Sequence, residues 1–286
     1  MIHTYTQATP VLRKNMHLLK PNVAGFRMFQ HLPLLHGFTY GRGSQNMSYK
    51  WEPGFTDEVT REEAIARVKQ RIENYLLSLG MSSIIDSVFL QALSGDTRIV
   101  DISKNILRIS EHNDRGYFIP GGAAFTTLPR VPIMITSGDC HTLTIFATNR
   151  LGIPVTGLIH AGRRELDAQL PGEALAHLIT YYSCDPLSIF IGIVQGIGPE
   201  NHVIQEKDIH HAIQNHAMWQ PYMQKKESGN FHLDNLSLLL EQIKSVYIPG
   251  KNIEAYAADN VVLAQNGKSF SHRARQGRIL ITTQLH

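Results

Sequence analysis

The feature that most constrains the fold is a series of short apolar runs, separated by polar turns and by longer segments with helical periodicity. Apolar runs of this length, bounded by turn residues, are typical of buried β-strands. They occur at 87–93, 98–102, 131–136, 143–147, 155–159, 187–194, 253–257 and 278–283. Helices are expected at 60–79, 166–182, 208–217 and 233–246. Strands that alternate with helices predict the α/β class, and here a mixed-sheet α/β sandwich.

The strongest helix signal begins at Thr60, where Thr60 and Glu63 fit a capping box and Gly80 suits the stop. Residues 1–30 are weakly patterned, so we predict an N-terminal extension there. We find no linker in the remainder and therefore predict one domain over 31–286.

Composition narrows the class of protein. The chain has 286 residues, 43% of them hydrophobic, and a net charge of +3 from mixed rather than blocked charges. This pattern argues against a nucleic-acid partner. Two cysteines exclude a disulfide framework and indicate a reducing compartment. No secretory signal or membrane-length apolar run is present. We expect a soluble cytoplasmic protein without a membrane partner, and leave a specialised secretion route open.

Two segments carry chemistry at strand ends. Cys140 ends Ser-Gly-Asp-Cys after the run 131–136, and His160 begins His-Ala-Gly-Arg-Arg-Glu after the run 155–159. Side chains just past strand ends commonly line sites in open α/β sheets. A thiol and an imidazole there either share a metal, or the imidazole activates the thiol. Cys184 lies in a turn with no cluster of polar candidate residues around it, and we interpret it as a structural residue.

Cationic side chains flank these segments. Arg163 and Arg164 follow His160, and Arg273 and Arg278 lie in the C-terminal stretch. Guanidinium groups suit phosphate or carboxylate, so an anion site is one interpretation and a solvated surface is the other. The glycine-rich turn 196–199 after a strand is a weak signal alone.

The ordered set of motifs resembles the YfiH family, also called the laccase-domain or multicopper polyphenol oxidase-like family. The resemblance runs from about His36 to the C-terminus. The segments that carry it are His36-Gly37-Phe38-Thr39, Asn46-Met47-Ser48, Ser137-Gly138-Asp139-Cys140, His160-Ala161-Gly162-Arg163-Arg164, Ile197-Gly198-Pro199, Phe270-Ser271-His272-Arg273 and Gly277-Arg278.

The resemblance implies a zinc enzyme that cleaves purine nucleosides with phosphate or deaminates them; older descriptions of the family name copper, which we rank behind zinc. It places His36, Asn46, Arg163, Arg164, Arg273 and Arg278 among the substrate- or anion-binding residues. The implied metal ligands are Cys140, His160 and a further histidine. Ser94 stands where that histidine is expected. A serine hydroxyl is a poor zinc ligand, and zinc sites normally have three protein ligands.

A second group with the same implied fold, the catalytic domains of cytotoxic necrotizing factor toxins, deamidates a protein glutamine with a metal-free Cys–His pair. Its Leu-Ser-Gly-Cys motif is similar to 136–140 with one residue inserted. Three hypotheses therefore stay open: a metalloenzyme acting on a small-molecule nucleoside, a metal-free cysteine hydrolase acting on a protein or small amide, and a non-catalytic binding relative. In the hydrolase, Cys140 is the nucleophile and His160 its base, and backbone amides near 138–140 with Ser94 stabilise the oxyanion.

Overall fold

The apolar runs pair into two large mixed β-sheets that stack on each other. The computed structural model describes residues 9–40, 47, 61–92, 95–105, 111–113, 116–204, 217–227, 229–266, 268–269, 271 and 278–286. The predicted mixed-sheet α/β sandwich is confirmed.

The first sheet, called sheet A, has seven described strands. Their spatial order is β1 Val11–Arg13, β17 Ile253–Tyr256, β13 Phe190–Val194, β11 His141–Thr148, β12 Pro154–Ala161, β9 Ala123–Thr126 and β6 Ile99–Asp101. β11 pairs antiparallel with both β12 and β13, whereas β13 pairs parallel with β17. The sheet is therefore mixed, and the antiparallel β11–β12 pair lies near its middle.

The second sheet, called sheet B, has eight described strands. Their order is β2 His17–Lys20, β3 Val23–Gly25, β4 Leu34–Thr39, β18 Ile279–Leu285, β10 Ile133–Ser137, β5 Val88–Gln91, β8 Gly116–Pro120 and β7 Glu111–Asn113. A third, small sheet contains β14 Val203–Ile204, β16 Phe231–Leu233 and β15 Met223–Lys225.

Helices cover the outer faces of both large sheets. The described helices are α1 Arg61–Ser78, α2 Ile102–Asn105, α3 Arg163–Asp167, α4 Leu170–Thr180, α5 Asn235–Lys244 and α6 Asn260–Gln265. Single 3₁₀ segments lie at Arg27–Phe29, Ile84–Asp86, Pro186–Ser188, Ala217–Tyr222 and Gly250–Asn252. Among the helices in the described part of the chain, none combines the length and hydropathy needed to cross a bilayer.

Three apolar clusters hold these layers together. One lies between the sheets and joins residues such as Leu158 of sheet A to Ile135 and Ile281 of sheet B. A second packs α4 and α5 on sheet A, and a third packs α1 on sheet B. The order of layers is thus helix, sheet B, sheet A, helix. A side chain at a strand end that points between the sheets borders the central cluster.

The predicted helix at 166–182 is in fact two helices. Residue Gln169 has φ of +57°, a left-handed conformation that breaks the helix between α3 and α4. Pro171 then falls in the first turn of α4, where a missing N–H costs no helical hydrogen bond. The predicted helix at 60–79 corresponds to α1, and Gly80 has the positive φ of a helix C-cap. Most of the predicted segment 208–217 lies outside the described residues.

The prediction of an N-terminal extension over 1–30 is wrong for residues 11–30; residues 1–8 lie outside the description. β1 pairs with β17, and β3 pairs with β4, so the segment joins both sheets. Its pattern is weak because each strand has only three or four residues. Phe26 is 1% exposed and lies directly on Gly192, where a β-carbon would come within 2.3 Å of its ring. The segment is part of the core.

We therefore expect Phe26→Ala to lower the free energy of unfolding by about 3–5 kcal/mol, because it leaves a cavity between the sheets. Leu18→Ala is the matched control in the same segment; Leu18 is 53% exposed, and its loss should change stability by less than about 0.5 kcal/mol. Urea unfolding measures both. Equal small effects of the two variants would restore the interpretation of this segment as an appendage.

Candidate active site

The register of β11 against β12 brings Cys140 and His160 to one place. Cys140 ends the three-residue bend 138–140 that leads from β10 in sheet B to β11 in sheet A. Thr142 pairs with His160 across the strands. Side chains alternate along a strand, so Cys140, Thr142 and His160 share the face that points between the sheets. His141 takes the opposite face, towards the helices.

Three side chains converge on Gly162. A β-carbon at that glycine would lie 2.9 Å from the Cys140 sulfur, 3.0 Å from Cε1 of His160 and 2.6 Å from Oε2 of Glu165. A residue with a side chain would displace the group, so glycine is required there. The thiol and the imidazole therefore lie side by side, and the sulfur raises the pKa of the ring. His160 is 8% exposed whereas Cys140 is half-buried, so Cys140 is the more accessible of the two residues.

Glu165 is the functional candidate that sequence reasoning missed. It is 2% exposed and belongs to α3, one turn past the end of β12. Its Oε1 accepts a 2.7 Å hydrogen bond from the N–H of Gly95, and its Oε2 lies 3.4 Å from Nδ1 of His160. The second distance is long for a hydrogen bond, so the contact is mainly an ion pair. The signal was a carboxylate five residues after a strand-end histidine.

The electrostatics of this Cys140–His160–Glu165 triad favour an imidazolium. Burial alone would lower the pKa of His160, but the charges and contacts of Cys140 and Glu165 outweigh it and raise the pKa to about 10. Burial alone would also raise the pKa of Glu165, yet the contact with His160 and the N–H of Gly95 lower it overall. The triad therefore holds a proton on the imidazole beside an ionised carboxylate.

Cys184 shows the opposite environment. It is 2% exposed and belongs to the cluster beneath the helices. Burial raises the pKa of its thiol to about 11, so it stays protonated and unreactive at neutral pH.

The glycine-rich turn after β13 supports the bend that carries Cys140. The N–H of Ile197 donates a 2.7 Å hydrogen bond to the carbonyl of Asp139. Gly196 lies on the ring of His141 and Gly198 lies on Asp259, and a β-carbon at either would come within 2.7 Å of those side chains. The glycines are explained by this close packing.

The predicted substrate-binding role of His36 is wrong. His36 is 6% exposed, and its Nε2 accepts a hydrogen bond from the N–H of Phe26. His36 pairs with Thr283 of β18, whereas Ser137, beside the bend, pairs with Ile279 of the same strand. Thr283 and Ile279 are four residues apart, so His36 lies about 13 Å along the sheet from the bend. Burial lowers the pKa of His36 to about 4, so it is a neutral core residue.

The predicted anion-binding arginines have mixed placements. Arg163 is half-buried and Arg164 exposed, both in the first turn of α3 beside Glu165. Arg278 immediately precedes β18, at the end of sheet B nearest the bend. Ser94, Asn46 and Arg273 lie outside the described residues, so their predicted roles remain predictions.

The described donors do not fit a zinc or copper site. Over the residues that the structure describes, no group of three His, Cys, Asp or Glu side chains is arranged to hold a metal ion. Cys140 and His160 supply two donors, whereas zinc normally has three protein ligands. The nearby carboxylate of Glu165 is already engaged with His160 and with the N–H of Gly95.

We expect Cys140→Ala to lower the pKa of His160, because the interaction with the sulfur is the largest contribution that raises it and burial would then dominate. Imidazole NMR measures the titration of the ring. The buried His36, which stays neutral, serves as an internal reference. An unchanged pKa of His160 in the variant would show that the thiol and imidazole are not coupled.

Comparison with solved structures agrees with this architecture. The YfiH protein of Bacillus licheniformis superposes with a TM-score of 0.73 at 16% identity, covering 95% of this chain and 99% of its own. The YlmD protein of Geobacillus stearothermophilus gives 0.72 at 17%, covering 96% and 100%. A Neisseria meningitidis protein described as DUF152 gives 0.64 at 16%, covering 92% and 98%. Identities this low show the fold alone.

No curated protein sequence matches the chain. The family model described as "multi-copper polyphenol oxidoreductase laccase" matches residues 59–285, most of the sequence. The chain therefore belongs to this laccase-domain family, with the fold seen in the YfiH and YlmD structures.

Proposed function

We propose that this protein is a thiol-dependent amide hydrolase, of the kind that deamidates a carboxamide side chain. The observation that carries the proposal is the Cys140–His160–Glu165 triad, in which the thiol lies beside an imidazole whose Nδ1 is 3.4 Å from the carboxylate. A nucleophile, a base and a group that orients the base are the parts that covalent acyl transfer needs.

In the first half-reaction the Cys140 thiolate attacks the amide carbon, and a C–S bond forms as the carbonyl π-bond opens. The tetrahedral oxyanion collapses, the C–N bond breaks, and the His160 imidazolium gives its proton to the departing nitrogen. Ammonia leaves and a thioester remains on Cys140. Backbone N–H groups of the bend 138–140 are the candidate oxyanion donors.

In the second half-reaction a water molecule attacks the thioester carbon, and the now neutral His160 takes a proton from the water. The C–S bond breaks, the carboxylic acid leaves and gives its proton to the released ammonia in solution, and the thiolate–imidazolium pair is restored. The net change is hydrolysis of an amide to a carboxylate and ammonium. Glu165 neither gains nor loses a proton; it fixes the imidazole and stabilises its charge.

Accessibility supports attack on an amide that projects from a larger molecule. Cys140 is half-buried at the edge of both sheets, and we infer that a slender group such as a glutamine side chain reaches its sulfur. Arg163, Arg164 and Arg278 lie at or near this edge and would attract acidic groups around the scissile amide. A glutamine on a protein, or a small amide with an anionic group, is the proposed substrate.

The proposal predicts fast alkylation of Cys140 by iodoacetamide and release of ammonia from glutamine peptides. His160→Ala should slow both by about 10²–10⁴-fold, the range for loss of a general acid–base group. Cys184→Ala is the matched control and should change neither rate, because that thiol is buried and protonated. A Cys140 that resists alkylation in the folded protein would refute the mechanism; alkylation without turnover would favour a non-catalytic relative.

A second candidate is a metal-dependent enzyme that acts on purine nucleosides. The family match over 59–285 favours it, as does the presence of a cysteine and a histidine at the expected motif positions. Zinc would polarise phosphate or water if bound. The described donor set argues against it, so it ranks below the thiol hydrolase.

Metal analysis separates the two candidates. We expect protein purified after expression in zinc-supplemented medium to hold far less than one zinc or copper per chain, and to leave inosine and adenosine unchanged in phosphate buffer. One tightly held zinc, together with nucleoside cleavage that a chelator abolishes, would replace the first candidate with the second.

A further inference from the structure

We propose that Asn260 is a positioning residue for Cys140, holding the bend 138–140 so that the sulfur meets the imidazole. The inference rests on the thiol function proposed above. Asn260 lies more than one hundred residues further along the chain, at the start of α6, and nothing in its local sequence marks it. It does not touch the sulfur; it acts through the backbone that precedes it.

The side-chain amide of Asn260 faces the bend directly. It is 0% exposed, and its Nδ2 donates a short hydrogen bond to the carbonyl of Gly138. The same Nδ2 lies 3.5 Å from Oδ1 of Asp139. One amide group therefore contacts both residues between β10 and Cys140. A donor is required here, because every atom it faces on the bend is an oxygen acceptor.

The other side of the amide fixes its orientation. Its Oδ1 accepts a 2.6 Å hydrogen bond from the hydroxyl of Ser269, which is 5% exposed. The backbone N–H of Asn260 donates to the carbonyl of Gly196 at 2.8 Å. With Oδ1 committed to a hydroxyl, the Nδ2 must point at the bend. Asn260 thus ties the nucleophile bend to the glycine-rich turn after β13.

Asp139 supplies a second hold on the same bend. Its Oδ1 accepts a 2.5 Å hydrogen bond from the hydroxyl of Ser271, and its carbonyl accepts from the N–H of Ile197. Ser137, just before the bend, donates its hydroxyl to the carbonyl of Cys140 at 2.6 Å. The three bend residues belong to no helix or strand. These side-chain contacts, rather than the hydrogen-bond ladder of a β-sheet, therefore set the position of the sulfur.

A merely structural role predicts a different outcome from a positioning role, and the chain offers a matched control. Asn252 is 4% exposed, and its Nδ2 donates hydrogen bonds to the carbonyls of Leu187 and Ile189. These two residues lie just before β13 begins, at the end of that strand farther from Cys140. Both asparagines are buried amides that bond to backbone carbonyls. Only Asn260 reaches the bend that carries Cys140.

The experiment compares Asn260→Asp with Asn252→Asp in the full-length protein. Each change keeps the shape of the side chain and removes the donor. We measure urea unfolding, the iodoacetamide rate of Cys140 across pH, and kcat and KM for ammonia release. We expect both variants to lose stability, but only Asn260→Asp to slow alkylation and kcat, by roughly 100-fold, as for a displacement of about 1 Å in a reacting group. KM should change little.

A second pair keeps the test informative if Asn260→Asp does not fold. Ser271→Ala removes the hydroxyl that holds Asp139, and Ser188→Ala removes a comparable hydroxyl bond to the carbonyl of Thr148 at the other end of β11. We expect slower alkylation and an altered pH profile only for Ser271→Ala. Equal alkylation rates in each variant and its control would overturn the inference.

Alkylation and turnover keep this inference separate from the proposed function. Iodoacetamide reports the position and environment of the thiol without any substrate. Absence of ammonia release from the unmodified protein would refute the amide hydrolase, whereas the alkylation comparison would still decide whether Asn260 positions Cys140.

Discussion

The antiparallel pairing of β11 with β12 is the constraint on which the candidate site depends. It sets Thr142 opposite His160 and so puts Cys140 and His160 on one face. A slip by one residue would turn His160 towards the helices and away from the thiol. The connecting turn fixes the register, because Oδ1 of Asn149 accepts hydrogen bonds from the N–H groups of Leu151 and Ile153 at 2.9 Å each.

In the proposed mechanism the carboxylate of Glu165 orients His160 and balances its charge, a role that requires no metal. Glu165 can face His160 because α3 begins within three residues of the end of β12, so its first turn returns over the imidazole. Gly162 leaves the space in which sulfur, ring and carboxylate meet. Membership of a family describes the scaffold, and the chemistry follows from the side chains at its site.

Some parts of the fold were out of reach of the sequence pattern. The N-terminal strands have three or four residues each, too few for a period to show, and β1 joins sheet A through a partner strand more than 200 residues away. The break between α3 and α4 depends on one non-glycine residue with positive φ, which no propensity forecasts. His36 is the first residue of a motif that resembles the family's, yet in β4 its ring lies in the core beside Phe26.

The sequence by itself determined the α/β class, most strand and helix positions, and the two strand ends that carry Cys140 and His160, because hydrophobic periodicity and turn residues are local signals. Only the tertiary structure decided that Glu165 faces the imidazole, that Asn260 holds the bend before the thiol, and that residues 11–30 close the core. Those facts arise from strand register and from contacts between residues distant in the chain. A single sequence does not encode such contacts in any readable spacing.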